Sequence, residues 1–295
     1  MVFEADLLDG IRMRAFRDGM LAFELGSWGN RPHRRHFERE AEADYLIRCT
    51  RLMNVHLACL SAACRGLLPA SAVTPDRLLS VAFEDGEIYS CIGGDPRWST
   101  LRLESEVSTL HRVDWKHRMR TLVSVKSMQV SITLLLQLLT RERQEITLLR
   151  AEMLFRSAVA FRDFDYGAAL VAAWTTIEGL LGDELVAYLA DLDRDRTIDG
   201  DETFINSERR RFYEGSRVTS RHSAEILSLA DRLPFSLYRD VLESAQARNK
   251  WLHNPTPEGG MVRKAYSAIL TAMKLFELVE GVGLSIPLDR NLRQI

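Results

Sequence analysis

The sequence predicts a mainly helical protein in two parts, an amino-terminal helical domain with a small inserted β-hairpin or meander and a carboxyl-terminal helical bundle. Three observations predict it. Apolar residues recur at three-and-four spacing through most of the chain, as in helices that bury one face. Period-two runs broken by turn residues are confined to 78–104. Only 17 Gly and 8 Pro occur in 295 residues, too few for long disordered tracts, and Pro234, Pro255, Pro257 and Gly259-Gly260 fall between helical runs. With 46% hydrophobic and 27% charged residues the composition is that of an ordinary globular protein. A division into residues 1–140 and 141–295 follows from the length and the change of pattern.

The amino terminus, Met1 to Gly10, lacks the basic start, apolar run and small-residue cleavage site of a secretory signal, so a cytoplasmic protein is expected. From about His36 to Cys64 a helix is predicted, with Tyr45, Cys49, Leu52, Met53, His56, Leu57, Leu60 and Cys64 on one buried face. The runs Leu79–Phe83 and Ile88–Ile92 flank Asp85-Gly86, a pair suited to the positive backbone angles of a tight hairpin. Gly93 to Pro96 marks the next turn, and Trp98–Leu103 supplies a third strand. Val107 to about Phe161 reads as helix with one or two breaks and an apolar middle. Its most apolar window, Val130–Leu139, is far short of the roughly 20 residues that cross a bilayer, so no membrane association is expected.

After the polar connection Arg162–Tyr166, the run Gly167–Leu181 is strongly helical and carries one carboxylate, Glu178, among apolar residues. Asp191–Tyr213 is charged and is expected to include a loop or insertion. Ser223–Arg232, Leu237–His253 and Met261–Val282 complete the predicted helices.

Thirty-nine basic against 41 acidic residues give a net charge of -2, which excludes binding of nucleic acid by bulk charge and leaves local patches open. One such patch is Arg209 to His222, with Arg209, Arg210, Arg211, Arg217 and Arg221 around the aromatic pair Phe212-Tyr213. It suits phosphate contacts and base stacking on single-stranded RNA, and it reads equally well as an exposed charged segment. The cysteines Cys49, Cys59, Cys64 and Cys91 form no CxxC pair and are expected as reduced thiols, three of them in a helix core. Cys49 and His56 stand about 10 Å apart along a helix, too far to share one metal ion. Asp191 to Glu202 has carboxylates at several calcium-loop positions, but Arg196 occupies the position that needs Gly for the sharp turn, so a solvated acidic loop is expected. No metal site and no cofactor is predicted.

Arg248 and His253 stand in an Arg-x4-His arrangement. Chance supplies about one such pair in a chain of this composition, and five occur, so spacing alone is uninformative. The pair at 248 differs from the others: a polar amide, Asn249, follows the Arg, the segment ends an amphipathic helix, and helix breakers follow. Metal-free RNA cleavage uses the ribose 2′-OH as nucleophile and needs a base titrating near neutrality and a fixed cation on the phosphate. Histidine and arginine are those groups. On a helix, residues five apart diverge by about 140°, so Arg248 and His253 occupy different faces, whereas Asn249 and His253 share one. Asn249 is therefore placed to orient the imidazole or hold a phosphate, and Arg248 to complete the site of a facing second subunit. Lys250 adds a cation on the same turn.

These residues resemble a family. Arg248-Asn249-Lys250-Trp251-Leu252-His253 is similar to the Arg-polar-x3-His signature of HEPN domains, small all-helical domains of many bacterial toxin and antiviral defence ribonucleases. The similarity extends upstream through Leu149–Phe155, Asp163 and Asp165 to Ala172–Leu181, where an aromatic residue and Glu178 precede a Leu-Leu pair as in the Apea-like branch. The resemblance covers roughly 143–285. It implies a metal-independent endoribonuclease with Arg248, His253, Asn249 and Glu178 as catalytic residues, Lys250 and the arginines 209–221 on the RNA, and a homodimer with both motifs at its interface. It also implies bacterial antiviral defence or a toxin–antitoxin system, with an antitoxin or sensor protein as partner. The other reading is a non-catalytic HEPN-like module that dimerises and binds nucleotide or RNA. For Glu178 two roles stand: a catalytic one, and a structural one as a buried carboxylate bonded to Arg248 or to a backbone group.

Overall fold

The run Ile11-Arg-Met-Arg-Ala15 alternates apolar and charged side chains, and it forms a strand whose apolar members are buried. The computed structural model describes residues 3–15, 20–24, 39–64, 70–75, 79–84, 87–90, 98–102, 123–195, 204–213, 215, 218–254 and 260–288. The chain separates into two units, Met1–Phe155 with Ser285–Ile295, and Arg156–Leu284. It is mainly helical, and among the described residues no helix is long and apolar enough to cross a membrane.

The first unit holds six strands, β1 Phe3–Asp6, β2 Arg12–Ala15, β3 Met20–Glu24, β4 Leu79–Glu84, β5 Glu87–Ser90 and β6 Trp98–Arg102. They form one antiparallel sheet in the order β1-β2-β3-β6-β4-β5. The hairpin and third strand expected in 78–104 are present, but β6 inserts between β3 and β4 and joins them to three strands from the first 24 residues. The sheet is therefore twice the size the sequence reading allowed. The turns at Asp85-Gly86 and Gly93–Pro96, and the expected helix over 107–122, lie outside the described residues. Register explains the charges at the amino terminus. Glu4 faces Arg14 and Asp6 faces Arg12, closing ion pairs of 3.0 and 2.7 Å on one face, while Met13 and Phe23 pair on the other, buried face.

Helix α1 spans Arg39–Ala63, close to the expected bounds, and packs on α2, Val125–Leu139. Ser124 caps α2 by accepting the Ser127 amide. After a break at 140–143, α3 spans Gln144–Arg162. The expectation of one buried face on α1 needs correction, because Leu52 to Leu60 is buried on every side. A helix so enclosed must satisfy its polar side chains internally. Asn54 does so completely: its amide donates to the Val73 carbonyl and to Glu152 at 3.1 and 3.0 Å, and its oxygen accepts the Val73 amide at 2.7 Å. Arg51 lies 3.4 Å from the other Glu152 oxygen and 3.0 Å from Glu145. Cys49, Cys59 and Cys64 are buried free thiols, and burial pushes Cys59 and Cys64 up from the ordinary thiol range. Cys91 lies outside the described residues.

In the second unit, α4 spans Tyr166–Asp195, α5 Ser207–Tyr213, α6 Ser220–Leu229, α7 Phe235–His253 and α8 Met261–Glu280. Helices α6, α7 and α8 all pack on α4. Ala169, Leu170, Ala173, Ile177, Leu180 and Leu181 of α4 are fully buried, as are Ala265, Ala268, Ile269 and Ala272 of α8. Alanines on both helices permit their close approach. Within Asp191–Tyr213, expected to include a loop or insertion, α4 continues through Asp195 and α5 begins at Ser207. Asp191, Asp193 and Asp195 thus continue a helix and do not open a calcium loop. Asp191 instead takes Arg232 and Arg194, and Asp193 accepts the Ile205 amide at 3.0 Å. Residues 196–203 lie outside the described set.

His56 gives the first unit a titration signature. It is fully buried, meets Phe23 edge-on at 5.4 Å, and has Nε2 at 3.3 Å from Ser131 Oγ. Ser131 donates to the Met128 carbonyl, so Nε2 carries the imidazole proton and Nδ1 is left without a partner. Burial lowers the pKa of His56 from 6.5 to about 4. The folded value lies below the unfolded one, so this contribution to stability is complete above pH 6.5 and is lost as pH falls from there through about 4. Its full size is of the order of 3 kcal/mol. Urea unfolding of the wild type and of His56→Gln between pH 8 and 4 checks this: the wild type loses stability more steeply below pH 6.5, and the two curves run parallel above pH 7.

Candidate functional site

Helix α7 buries Leu237, Val241, Ser244 and Ala245. The same stripe, continued by seven residues from Val241, reaches Arg248. Arg248 is accordingly half-buried, with Nε sealed and without a hydrogen-bond partner and Nη1 donating to Asn249 Oδ1 at 3.0 Å. Among the described residues it has no carboxylate partner. Asp240, two turns earlier on α7, pairs with Lys274 at 3.1 Å. Asn249, Lys250, Leu252 and His253 are exposed. His253 is the last residue of the helix, where the free carbonyls favour a cation. The five-residue spacing therefore has the expected effect: the guanidinium faces inward and the imidazole outward.

Two expected partners are elsewhere. Asn249 engages Arg248 and makes no bond to His253. Glu178 is exposed and accepts a 2.8 Å hydrogen bond from Ser220 Oγ of α6, so its expected burial and its bond to Arg248 are both corrected. The cause is helical phase. Thr175, Glu178, Gly182 and Val186 form the exposed stripe of α4, beside the buried stripe of Ile177, Leu180 and Leu181.

The motif end of α7 is fixed by a contact that the sequence reading missed. A Cβ on Gly167, the second residue of α4, would lie 2.4 Å from Trp251 Cζ2 and 2.7 Å from Cε2. Only glycine lets the indole lie on the α4 backbone. The signal was a glycine early in an otherwise strong helical run, where it costs about 1 kcal/mol against alanine. Around this seat Tyr166 packs edge-on against Phe161 at 5.3 Å, and Phe161 lies 5.9 Å from Tyr266 of α8. Asp165 caps α4 by accepting the Ala168 amide at 3.0 Å. At the other end of α4, Arg232, just before α7, bonds Asp191 and lies 3.5 Å from Glu184. Helices α4 and α7 therefore run antiparallel, with Trp251, Arg248 and His253 at the amino-terminal end of α4.

The expected RNA-binding arginines are not gathered there. Arg209, Arg210 and Arg211 lie on α5, and Arg210 approaches Asp193 to 3.9 Å. Asp193 is 26 residues beyond Gly167, about 39 Å along α4. Arg221 is exposed on α6, and Arg217 lies outside the described residues. The described histidines of the other Arg-x4-His pairs have structural roles. His56 is a core residue beside Arg51, which pairs with glutamates, and His222 Nδ1 accepts the Thr219 amide at 3.3 Å as a cap of α6. The pairs at 31–36 and 112–117 lie outside the described residues.

The chain matches no protein-family model, no curated protein and no solved structure.

The Trp251 seat is tested with two glycines of the same helix. Gly167→Ala must displace the indole and is expected to cost about 1–3 kcal/mol of stability, the range for overpacking. Gly182→Ala meets nothing within 4 Å and is expected to gain about 0.5–1 kcal/mol from helix propensity alone. Thermal unfolding, with tryptophan fluorescence as a second readout for Gly167→Ala, separates the two.

Proposed function

We propose that the second unit is a metal-independent endoribonuclease of HEPN type, cleaving RNA by attack of the ribose 2′-OH at a site shared between two copies of the chain. The observation that carries the reading is the arrangement at the end of α7: a half-buried guanidinium with no carboxylate partner among the described residues, five positions before an exposed histidine. A surface arginine kept only for stability gains little unless it is paired. In this reading the Arg248 guanidinium, of which one donor is bonded to Asn249, and the exposed imidazole of His253 take an incoming phosphodiester.

In this mechanism neutral His253 takes the 2′-OH proton as the oxygen attacks the adjacent phosphorus. Arg248 holds the non-bridging oxygens as charge accumulates. The bond to the 5′ oxygen breaks and leaves a 2′,3′-cyclic phosphate, and the leaving oxygen takes the proton that His253 acquired from the 2′-OH. Arg248 and His253 of one chain face apart, so an Arg248 and a His253 from facing copies would flank one phosphate. Two-fold symmetry would then form two such sites. Asn249, bonded to Arg248, supports the guanidinium and is a positioning residue. Glu178 has no part in this step. The biological setting proposed with this chemistry is bacterial defence or a toxin–antitoxin system, with a partner protein that restrains the nuclease.

Labelled transfer RNA and messenger RNA incubated with the purified protein test the reading. Cleavage is expected to persist in chelator. His253→Ala and Arg248→Ala should each lower it by at least about a hundredfold with unchanged unfolding curves, and Asn249→Ala by less. Mixed subunits of the two inactive variants should recover part of the activity, and light scattering should give a dimer. Cleavage that survives His253→Ala would remove the imidazole from the mechanism.

A further inference from the structure

A second feature of the helical unit lies far from Arg248 and His253. Where the carboxyl-terminal part of α4 meets α5 and α6, a cavity of about 460 Å³ is lined by Tyr188, Leu192, Phe204, Arg209, Tyr213 and Ile226, among others. Leu189 and Ile205 also line it, and with Leu185 they form a small buried core. The volume falls within the range of small-molecule sites. Gly167 and Leu189 are 22 residues apart, so the cavity lies about 33 Å along α4 from the Trp251 seat.

Its walls have two chemistries. Tyr188, Phe204 and Tyr213 present aromatic rings beside the aliphatic side chains, which suits a flat ring system. Polar groups stand at the rim. Arg209 is held in place twice, by a 2.8 Å hydrogen bond from Nη1 to the Phe204 carbonyl and by its guanidinium 4.6 Å over the Phe204 ring. That bond uses one of five donors, so the exposed guanidinium keeps a fork for an anion. The phenol hydroxyls of Tyr188 and Tyr213 bond no other described residue. The carboxylates of this neighbourhood are engaged: Asp193 with the Ile205 amide and Arg210, and Asp191 and Glu184 with Arg232, whose guanidinium lies 5.9 Å over the Tyr188 ring.

We propose that this cavity binds a nucleobase together with its adjoining phosphate: the base against the Tyr213 ring, its edge on the tyrosine hydroxyls, the phosphate on Arg209. The two sources of that chemistry are a free mononucleotide and a base unstacked from a single strand. The proposal goes beyond the cleavage reading and stands on the cavity alone, so it is tested by binding, independently of catalysis.

The full chain is titrated in two ways: with radiolabelled AMP and UMP by equilibrium dialysis, and with a fluorescein-labelled 2′-O-methyl ten-nucleotide strand, which cannot be cleaved by 2′-OH attack, by anisotropy. Saturable binding of a mononucleotide assigns the free source; binding of the strand alone assigns the unstacked base. Arg209→Ala and Tyr213→Leu are each expected to weaken that binding about tenfold, the size of one phosphate clamp or one stacked base. Arg239→Ala, an exposed charge on α7 that does not line the cavity, should change it less than about twofold. His253→Ala should leave binding intact even where it abolishes cleavage. Circular dichroism melts establish that Arg209→Ala, at a surface position, remains folded. Absence of binding by either probe up to about 1 mM overturns the proposal. So does an equal loss in Arg209→Ala and Arg239→Ala, which would reduce the cavity to unspecific surface charge.

Discussion

The second unit depends on one helix being buried along most of its length. α4 carries thirty residues, and α6, α7 and α8 all take it as their common partner. Each fully buried Leu or Ile of its core stripe contributes about 2 kcal/mol by leaving water. Burial of that kind sets which helices meet, but it does not set their axial position. That is decided where a flat indole lies on a backbone without a side chain, at Gly167 and Trp251. Since Trp251 lies between Arg248 and His253, the contact that fixes the end of α7 also fixes the two groups of the proposed chemistry.

The first unit answers a different constraint. Helix α1 is enclosed from Leu52 to Leu60, yet it carries an asparagine and a histidine in that stretch. Asn54 resolves its burial with three hydrogen bonds, two of them to the backbone of Val73. Removing one partner from such a network costs more than the bonds contribute, because buried groups are left unsatisfied. Glu152 is anchored there between Asn54 and Arg51. His56 is only partly satisfied, and for that reason burial holds it neutral down to about pH 4. The two residues illustrate the same rule from opposite sides: a buried polar group either completes its bonds or gives up its charge.

The two ends of α4 carry distinct chemistry. At its amino-terminal end a cation faces the bundle and an imidazole faces outward, because five residues on a helix cannot bring both to one side. At its carboxyl-terminal end arginine and aromatic rings surround a cavity.

Periodicity in the sequence determined the helices of the second unit and most of their bounds, the hairpin and third strand of the first unit, and the opposed faces of Arg248 and His253, because each depends only on residues close in the chain. The strands at the amino terminus were legible too: Ile11, Met13 and Ala15 alternate with Arg12 and Arg14, but runs of four residues are short enough to be overlooked beside long helices. Glu178 marks the limit of such reading. Its neighbours are apolar, yet a shift of one residue on a helix is 100°, and whether a position near the edge of the stripe is covered depends on where the next helix lies. The seat of Trp251 on Gly167, the pairing of Asn54 with Val73 and Glu152, and the cavity beside Arg209 join residues 19 to 98 positions apart or combine three helices. No local pattern encodes such contacts, and packing alone decided them.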